Sequence, residues 1–329
     1  MGTYIIRRVV AMVLLLIALS IIVFLLFAAL PSNPAALTCG KQCTPQIIHQ
    51  NEIRLGYDKP IYVQYASFMK GIAVGRTYGS GSQTFKCPAP CLGYSFFRGA
   101  NVTDLIKDRL PVTAVEALGA FVLWMVAGVS IGILAALRRG KWQDRISMSL
   151  ALVGYSFPSF FIGLVLLYFV IFKFRLMAYP AYTPFASDPA AYLRSFILPW
   201  ITLAVLYAAL YARLTRNQML DTMGEDFIRT ARAKGLTERM VVGKHGLRAG
   251  LTPIVTAAGL DLSALLGGAV ITEQVFGLPG LGKLSLDAVL QSDLPLMTAT
   301  VLVIAAFIVV ANLVVDLLYA VIDPRVRLG

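Results

Sequence analysis

The sequence predicts an all-α integral membrane protein with six transmembrane helices and an extracytoplasmic insertion after the first. Three observations predict it. Of 329 residues, 58% are hydrophobic and only 14% are charged. Six uncharged or nearly uncharged runs reach spanning length, and a hydrocarbon core of about 30 Å needs roughly 20 apolar residues in a helix. The basic residues flank those runs, so the formal net charge of +12 points to anionic lipid headgroups as partners rather than to nucleic acid. Two histidines leave little room for a histidine-based metal or catalytic site.

The first span is residues 9–30, behind Arg7 and Arg8. No small-residue cleavage site follows it and it is long for a signal sequence, so it reads as a retained helix. Segment 31–116 is too long for a connector and carries helix signals of its own. Thr44 and Pro45 make an N-cap and first-turn proline, and Gly56 is placed to end that helix. Ile61, Tyr62, Tyr65, Phe68, Met69 and Ile72 then recur at helical spacing. All four cysteines lie here, Cys39, Cys43, Cys87 and Cys91, as two C-x3-C pairs. In an oxidising compartment an even count suggests two disulfides, with three connectivities open. A four-thiolate zinc site is the rival reading.

Spans two to six are residues 117–137, 146–172, 195–212, 251–272 and 294–315. Pro158 predicts a kink in the third. Glu116 and Asp316 sit at span ends and read as interfacial. Asp261 lies near the middle of the fifth span, where a carboxylate costs about 2.5–3.5 kcal/mol on insertion scales, so it must face a bundle interior or a wet cavity. Two roles stay open for it: a translocation-path residue that contacts a cationic substrate group, or a helix–helix hydrogen bond. Gly259, Ser263, Gly267 and Gly268 mark a close-packed face of the same span.

Lys and Arg set the orientation. They concentrate in 1–8, 138–145, 213–250 and 316–329 and are sparse in 173–194 and 273–293. Segment 31–116 carries nine, but loops beyond about 60 residues translocate largely regardless of charge. Both termini and the polar island 213–250 are therefore predicted to be cytoplasmic.

That island organises the rest. Glu225 and Asp226 open a short helix at the end where its dipole favours negative charge, and Arg232 and Lys234 close it at the opposite end. Gly235 sits where the chain must turn left-handed. Phe227 and Ala231 share a face at i,i+4, with Ile228 beside them. Thr237 is placed to cap a second helix starting at Glu238. The bland alternative is a solvated connector between two spans.

Gly277 to Lys283 almost fits the phosphate-binding loop G-x-x-x-x-G-K-[ST]. Leu284 stands where the Mg²⁺-binding hydroxyl belongs, no parallel strand precedes the loop, and the topology puts it outside. A Gly/Pro turn that re-enters the outer membrane surface is the better reading. No Ser/His/Asp, Cys/His or paired-carboxylate constellation survives this topology, so neither catalysis nor a metal site is expected.

The string from Asp226 to Leu236, D-F-I-R-T-A-R-A-K-G-L, resembles the EAA-type loop of ABC-importer permeases. It matches the variant of the dipeptide/oligopeptide/nickel branch, departing from the general E-A-A-x3-G form in its first two residues, Arg229 and Thr230. Further matching strings run from His245 to Arg248, Leu251 to Pro253, Gly56 to Pro60 with Gln64 and Tyr65, and Arg109 to Thr113. Others run from Ser156 to Ser159, Gly267 to Glu273, Phe276 to Gly282, and Asp323 to Arg325 with Asp316. The cysteine-containing insertion, roughly Cys39 to Cys91, does not match that pattern.

The resemblance implies an ABC importer type I permease fold: an N-terminal helix at 1–30, an extracytoplasmic loop domain at 31–116, a core of five helices at 117–320 and a cytoplasmic tail at 321–329. It implies a multi-pass subunit of a prokaryotic cytoplasmic membrane that forms half of a path for di- or oligopeptides. Its partners would be a second homologous permease, two cytoplasmic ATPases that carry the ATP and Mg²⁺, and an extracytoplasmic substrate-binding protein. The ATPase-coupling residues would be Glu225, Asp226, Phe227, Ile228, Arg229, Thr230, Ala231, Arg232, Ala233, Lys234, Gly235 and Leu236. Phe227, Ile228 and Ala231 would fill the ATPase groove, with Arg229, Arg232 and Lys234 in ionic contacts. Nickel or another small solute is the alternative cargo. An ATP-independent secondary transporter or channel is the rival class. It would call for inverted repeats or rings of charge, whereas the spans hold one central carboxylate and no clear repeat.

Overall fold

The computed structural model describes residues 2–28, 44–79, 84–179, 181–267 and 269–322. Helix α1 (Gly2–Ala28) lies against the last helix and turns mostly apolar, exposed side chains outward. Helix α2 (Pro45–Leu55) starts where Thr44 Oγ1 accepts the Ile47 N–H (3.4 Å), and Gly56 ends it at φ 78°. The Gln64 amide then donates to the carbonyls of Tyr57 (3.2 Å) and Lys59 (2.8 Å), which folds the chain into α3 (Ile61–Val74). Tyr65 and Phe68 of α3 pack on Phe24, and the Tyr65 hydroxyl bonds Ser20 at 2.7 Å, so α3 folds back onto α1.

Two small antiparallel ladders follow, β1 (Arg76–Tyr78) with β2 (Phe85–Cys87) and β3 (Tyr94–Ser95) with β4 (Ala100–Asn101). The rings of Tyr78, Phe85, Tyr94 and Phe96 cluster between them. Such a miniature core cannot supply much apolar burial, and a Cys87–Cys91 disulfide staples it. Cys39 and Cys43 lie outside the described residues.

The spans come next. Helix α4 (Val102–Leu137) turns into α5 (Trp142–Ser156). The chain bends by 101° at Phe157 and Pro158 into α6 (Ser159–Leu166), which widens to π-helical turns over Leu167–Lys173. Pro158 has no N–H to continue the ladder, so the expected kink is a full break. Helix α7 (Pro189–Gly224) is capped by Asp188, whose Oδ1 accepts the N–H groups of Ala190 and Ala191. Then come α8 (Asp226–Ala233) and α9 (Glu238–Met240). The latter runs through π-helical turns at Val241–Gly246 into α10 (Leu247–Leu266), with a 47° bend beside Pro253. Helices α11 (Val270–Phe276), α12 (Leu281–Leu290) and α13 (Leu294–Ile322) close the described chain. Among the described residues, four helices are long and apolar enough to cross a membrane, and up to six spans result if each bent pair counts as one.

Three expectations change. The second and fourth span helices outrun their apolar stretches, because polar turns continue the same hydrogen-bond ladder at their ends. The fifth does not reach residue 272: its helix stops at Leu266, and Ala269 (φ −80°, ψ 62°) separates it from α11. Glu116 does not face outward. It lies inside α4 and is 1% exposed. The side chain of Asp316 and residue Gly268 lie outside the description.

The core is the seam between α4 and α7. An added Cβ at Gly119, Gly128 or Gly132 would come within 2.1, 2.7 and 2.5 Å of Trp200, Tyr211 and Thr215. Missing side chains on α4 therefore admit the bulky ones of α7. Trp124 stacks on Tyr207 (4.5 Å) in the same seam, and the Trp200 indole donates to the Val115 carbonyl at 3.0 Å. Gly259 of α10 lies against Val315, and Gly267, just past its end, lies against Ile304 and Ile308.

Candidate functional site

The polar island folds as two short helices joined by a glycine turn. Glu225 is extended (φ −70°, ψ 151°) and α8 starts at Asp226, as the charge pattern requires. The Asp226 carboxylate pairs with Arg229 at 3.1 Å, and the Thr230 hydroxyl donates to the Asp226 carbonyl. At the far end, Gly235 takes φ 76° and its N–H bonds the Arg232 carbonyl, while the Leu236 N–H reaches Ala231. Thr237 precedes α9 in extended conformation, with no side-chain bond to the helix.

Packing sorts this helix into two faces. Ile228 and Ala231 are buried with Val241, under Met223 and Leu236. They fill a seat in their own chain, which covers them here. Sequence reasoning placed them with Phe227, because i,i+4 spacing reports a shared face without saying which body covers it. The outward face holds Phe227 (45% exposed), Arg229, Ala233 and Lys234. Arg232 is not a free cation. It holds Glu238 across the turn at 2.7 Å. Val241 and Glu238 begin the segment that becomes α10, so α8 is bolted directly to a span. Gly246 and Gly250 pack on Met219 and Met223, tying that segment to the end of α7 as well.

A second bolt lies at the same end of the bundle. Arg216 of α7 grips Asp144 of α5 with both Nε (2.5 Å) and Nη2 (2.8 Å), and the Gly140 N–H donates to Asp144 Oδ2. Bidentate geometry of this kind fixes orientation as well as charge. Asp261 faces the α7–α10 contact, where the Tyr211 hydroxyl donates to its Oδ2 at 2.6 Å.

The near-miss phosphate loop has a clear identity in three dimensions. Residues Gly277 to Gly280 form the turn of a hairpin between α11 and α12, and the helix N-terminus that would attract a phosphate is already occupied. Its anion is Glu273, fully buried, whose Oε2 accepts the Lys283 N–H at 2.6 Å. Thr113 of α4 donates to Glu273 Oε1 (2.7 Å) and accepts the Leu281 N–H (2.7 Å). Any Cβ on Gly280 would strike that carboxylate. Arg109 reaches the Pro279 carbonyl at 3.5 Å. Strings separate in sequence, Arg109 to Thr113 and Glu273 to Gly282, thus meet as one cluster. Glu116, a turn along α4 from Thr113, completes it. Sequence reading met Glu273 and Thr113 only as the ends of matching strings and gave neither a role. Their signal was a lone carboxylate and a lone hydroxyl in otherwise apolar stretches.

The loop domain clamps the far end of that hairpin. Ser95 donates a short bond to Asp293, and Arg98 reaches Gln291 (3.1 Å) and Asp287 (3.7 Å). Burial pushes the Asp293 carboxyl above its ordinary range, against the opposing pull of Ser95, the Leu296 N–H and Arg98.

Comparison with known proteins places these features in one family. Residues 128–328 match the model of the binding-protein-dependent transport system inner membrane component, and residues 1–117 match the N-terminal model of such membrane components. A Brucella abortus (strain 2308) protein named for a peptide transport system permease is 38% identical over 329 residues, 99% of each chain. The glutathione transport system permease protein GsiC of Escherichia coli (strain K12) is 36% identical over 327 residues, 99% of each chain. Among solved structures, the inward-facing MetNI methionine ABC transporter superposes with a TM-score of 0.51 at 19% identity, over 67% of this chain and 97% of that one, which is a likeness of fold.

Proposed function

This chain belongs to the binding-protein-dependent transport inner-membrane component family, the membrane-spanning permease subunits of ATP-binding cassette importers, and from that premise we propose its cargo, partners and coupling surface. It is a transport subunit and not itself an enzyme. The cargo is a di- or oligopeptide, supported by full-length relatives named for peptide and glutathione transport. The chain supplies half of the path. A second homologous permease supplies the other half, two cytoplasmic ATPases carry ATP and Mg²⁺, and an extracytoplasmic binding protein delivers the peptide. The basic segments put both termini and the island 213–250 on the cytoplasmic side. Residues 1–30, 31–116, 117–320 and 321–329 serve as anchor, outer loop domain, translocating core and tail. Residues Glu225 to Leu236 couple hydrolysis to transport, and Asp261, bonded by Tyr211 in the α7–α10 contact, is the candidate path residue.

One observation carries the coupling role: α8 is seated through Ile228 and Ala231 on the segment that becomes α10, while Phe227, Arg229 and Lys234 point away from the chain. A force on that outward face moves a span without an intervening flexible loop. The test is reconstitution of the chain with its second permease, ATPases and binding protein in proteoliposomes. Peptide-stimulated hydrolysis with peptide accumulation is the expected result. Accumulation of nickel but no peptide would overturn the cargo, and accumulation without ATP would overturn the class.

A further inference from the structure

The hairpin of α11 and α12 is pinned to α4 by one carboxylate and opposed by another. Glu273 is the pin, and both its oxygens are bonded, Oε1 by Thr113 and Oε2 by the Lys283 N–H. Glu116 follows Thr113 on the same face of α4 at i,i+3. It is 1% exposed, and among the described residues neither of its oxygens has a hydrogen-bond partner. Thr113, one turn away on α4, bonds Glu273, so the two carboxyls belong to one buried cluster. This arrangement is unfavourable in either protonation state. An ionised Glu116 is a charge buried by protein beside the bonded Glu273 carboxyl, and a neutral one leaves a donor and acceptors unmet among the described residues. Buried polar groups without a partner are few in folded proteins, and each calls for a specific role. Here the packing is supplied by α4 against α7 and α12.

We propose that Glu116 is the release element of this latch: a positioning residue that weakens the hairpin's hold on α4, so that the hairpin lifts during each transport cycle and water or a polar group of the passing solute reaches its oxygens. The proposal rests on the importer reading. It makes stability and transport move in opposite directions, which a merely structural carboxyl would not do. Replacing Glu116 by methionine keeps an unbranched side chain of similar length and removes the unmet polar atoms. Removing the pin, by Thr113→Val or Glu273→Ala, acts the other way.

The experiment uses the complete importer complex, with peptide uptake into proteoliposomes and the melting temperature of the nucleotide-free complex read on the same preparations. Glu116→Met is expected to raise the melting temperature and to slow uptake at least tenfold. Thr113→Val is expected to lower the melting temperature and to raise hydrolysis in the absence of peptide. A Glu116→Met complex that melts lower or fails to assemble would overturn the proposal, since the carboxyl would then be a stabilising contact. So would one that transports at the wild-type rate. A wild-type complex that carries no peptide at all refutes the cargo assignment instead, and the two failures are thereby distinct.

Discussion

Gly235 offers the sharpest test of α8 as a lever, because the structure separates two costs that a substitution usually mixes. The residue sits at φ 76°, and a Cβ built on it meets nothing within 4 Å. Any penalty is therefore backbone strain alone. Placing an ordinary L-residue in this region costs roughly 1–2 kcal/mol, and a β-branched residue more, whereas asparagine visits it readily. The seat that the turn defends is small. It buries one large side chain, Ile228, worth about 1.5–3 kcal/mol, and an eight-residue helix contributes little stability by itself. Gly235→Ala should shift the seated population about fivefold and Gly235→Val about thirtyfold or more, from about 1 and 2 kcal/mol at tenfold per 1.4 kcal/mol. The assay is peptide accumulated per ATP hydrolysed in proteoliposomes. The expected order is Gly and Asn highest, Ala lower and Val lowest, with hydrolysis retained. Equal ratios for Asn and Val would refute the backbone argument, and a wild-type ratio for Val would refute the lever.

Ile228→Ala empties the seat, costs about 2–5 kcal/mol of packing, and should reduce uptake more than hydrolysis; equal losses of both would mean that α8 only holds the complex together. Arg216→Ala leaves the Asp144 carboxylate with the Gly140 N–H alone and should destabilise by about 1–3 kcal/mol, measured by thermal unfolding in detergent. An exchange of both residues that restores the melting temperature would confirm the pair. Tyr211→Phe removes the donor to Asp261 and should cost about 1–3 kcal/mol; unchanged stability together with altered uptake would favour a path role for Asp261 over a helix–helix bond. Peptide mapping without reductant should recover Cys87 and Cys91 joined to each other, and free thiols at both positions would reject the staple.

Most of the fold was legible because its strongest signals are local. Apolar length revealed the spans, Pro158 marked the break, Thr44 and Gly56 bounded α2, and Gly235 announced the left-handed turn. What was missed depends on partners far apart in the chain. Glu116 looks interfacial because it precedes an apolar run, yet the helix began at Val102 and carries it inside. Leu284 argues locally against a phosphate loop, but nothing local says that Glu273 fills the helix N-terminus, since its partners are Thr113 and the Lys283 N–H. Periodicity grouped Phe227 with Ile228 and Ala231, and only packing shows that the last two are claimed by Val241. Arg232 read as a surface cation until Glu238 was found across the turn.

Site-specific photo-crosslinking within the assembled complex tests the coupling surface most directly. A photoreactive residue at Phe227 is predicted to form adducts with an ATPase subunit. The same group at Ile228 is predicted to label only this chain, around Met223 and Val241. An assembled, hydrolysing complex in which Phe227 labels no ATPase would contradict the account.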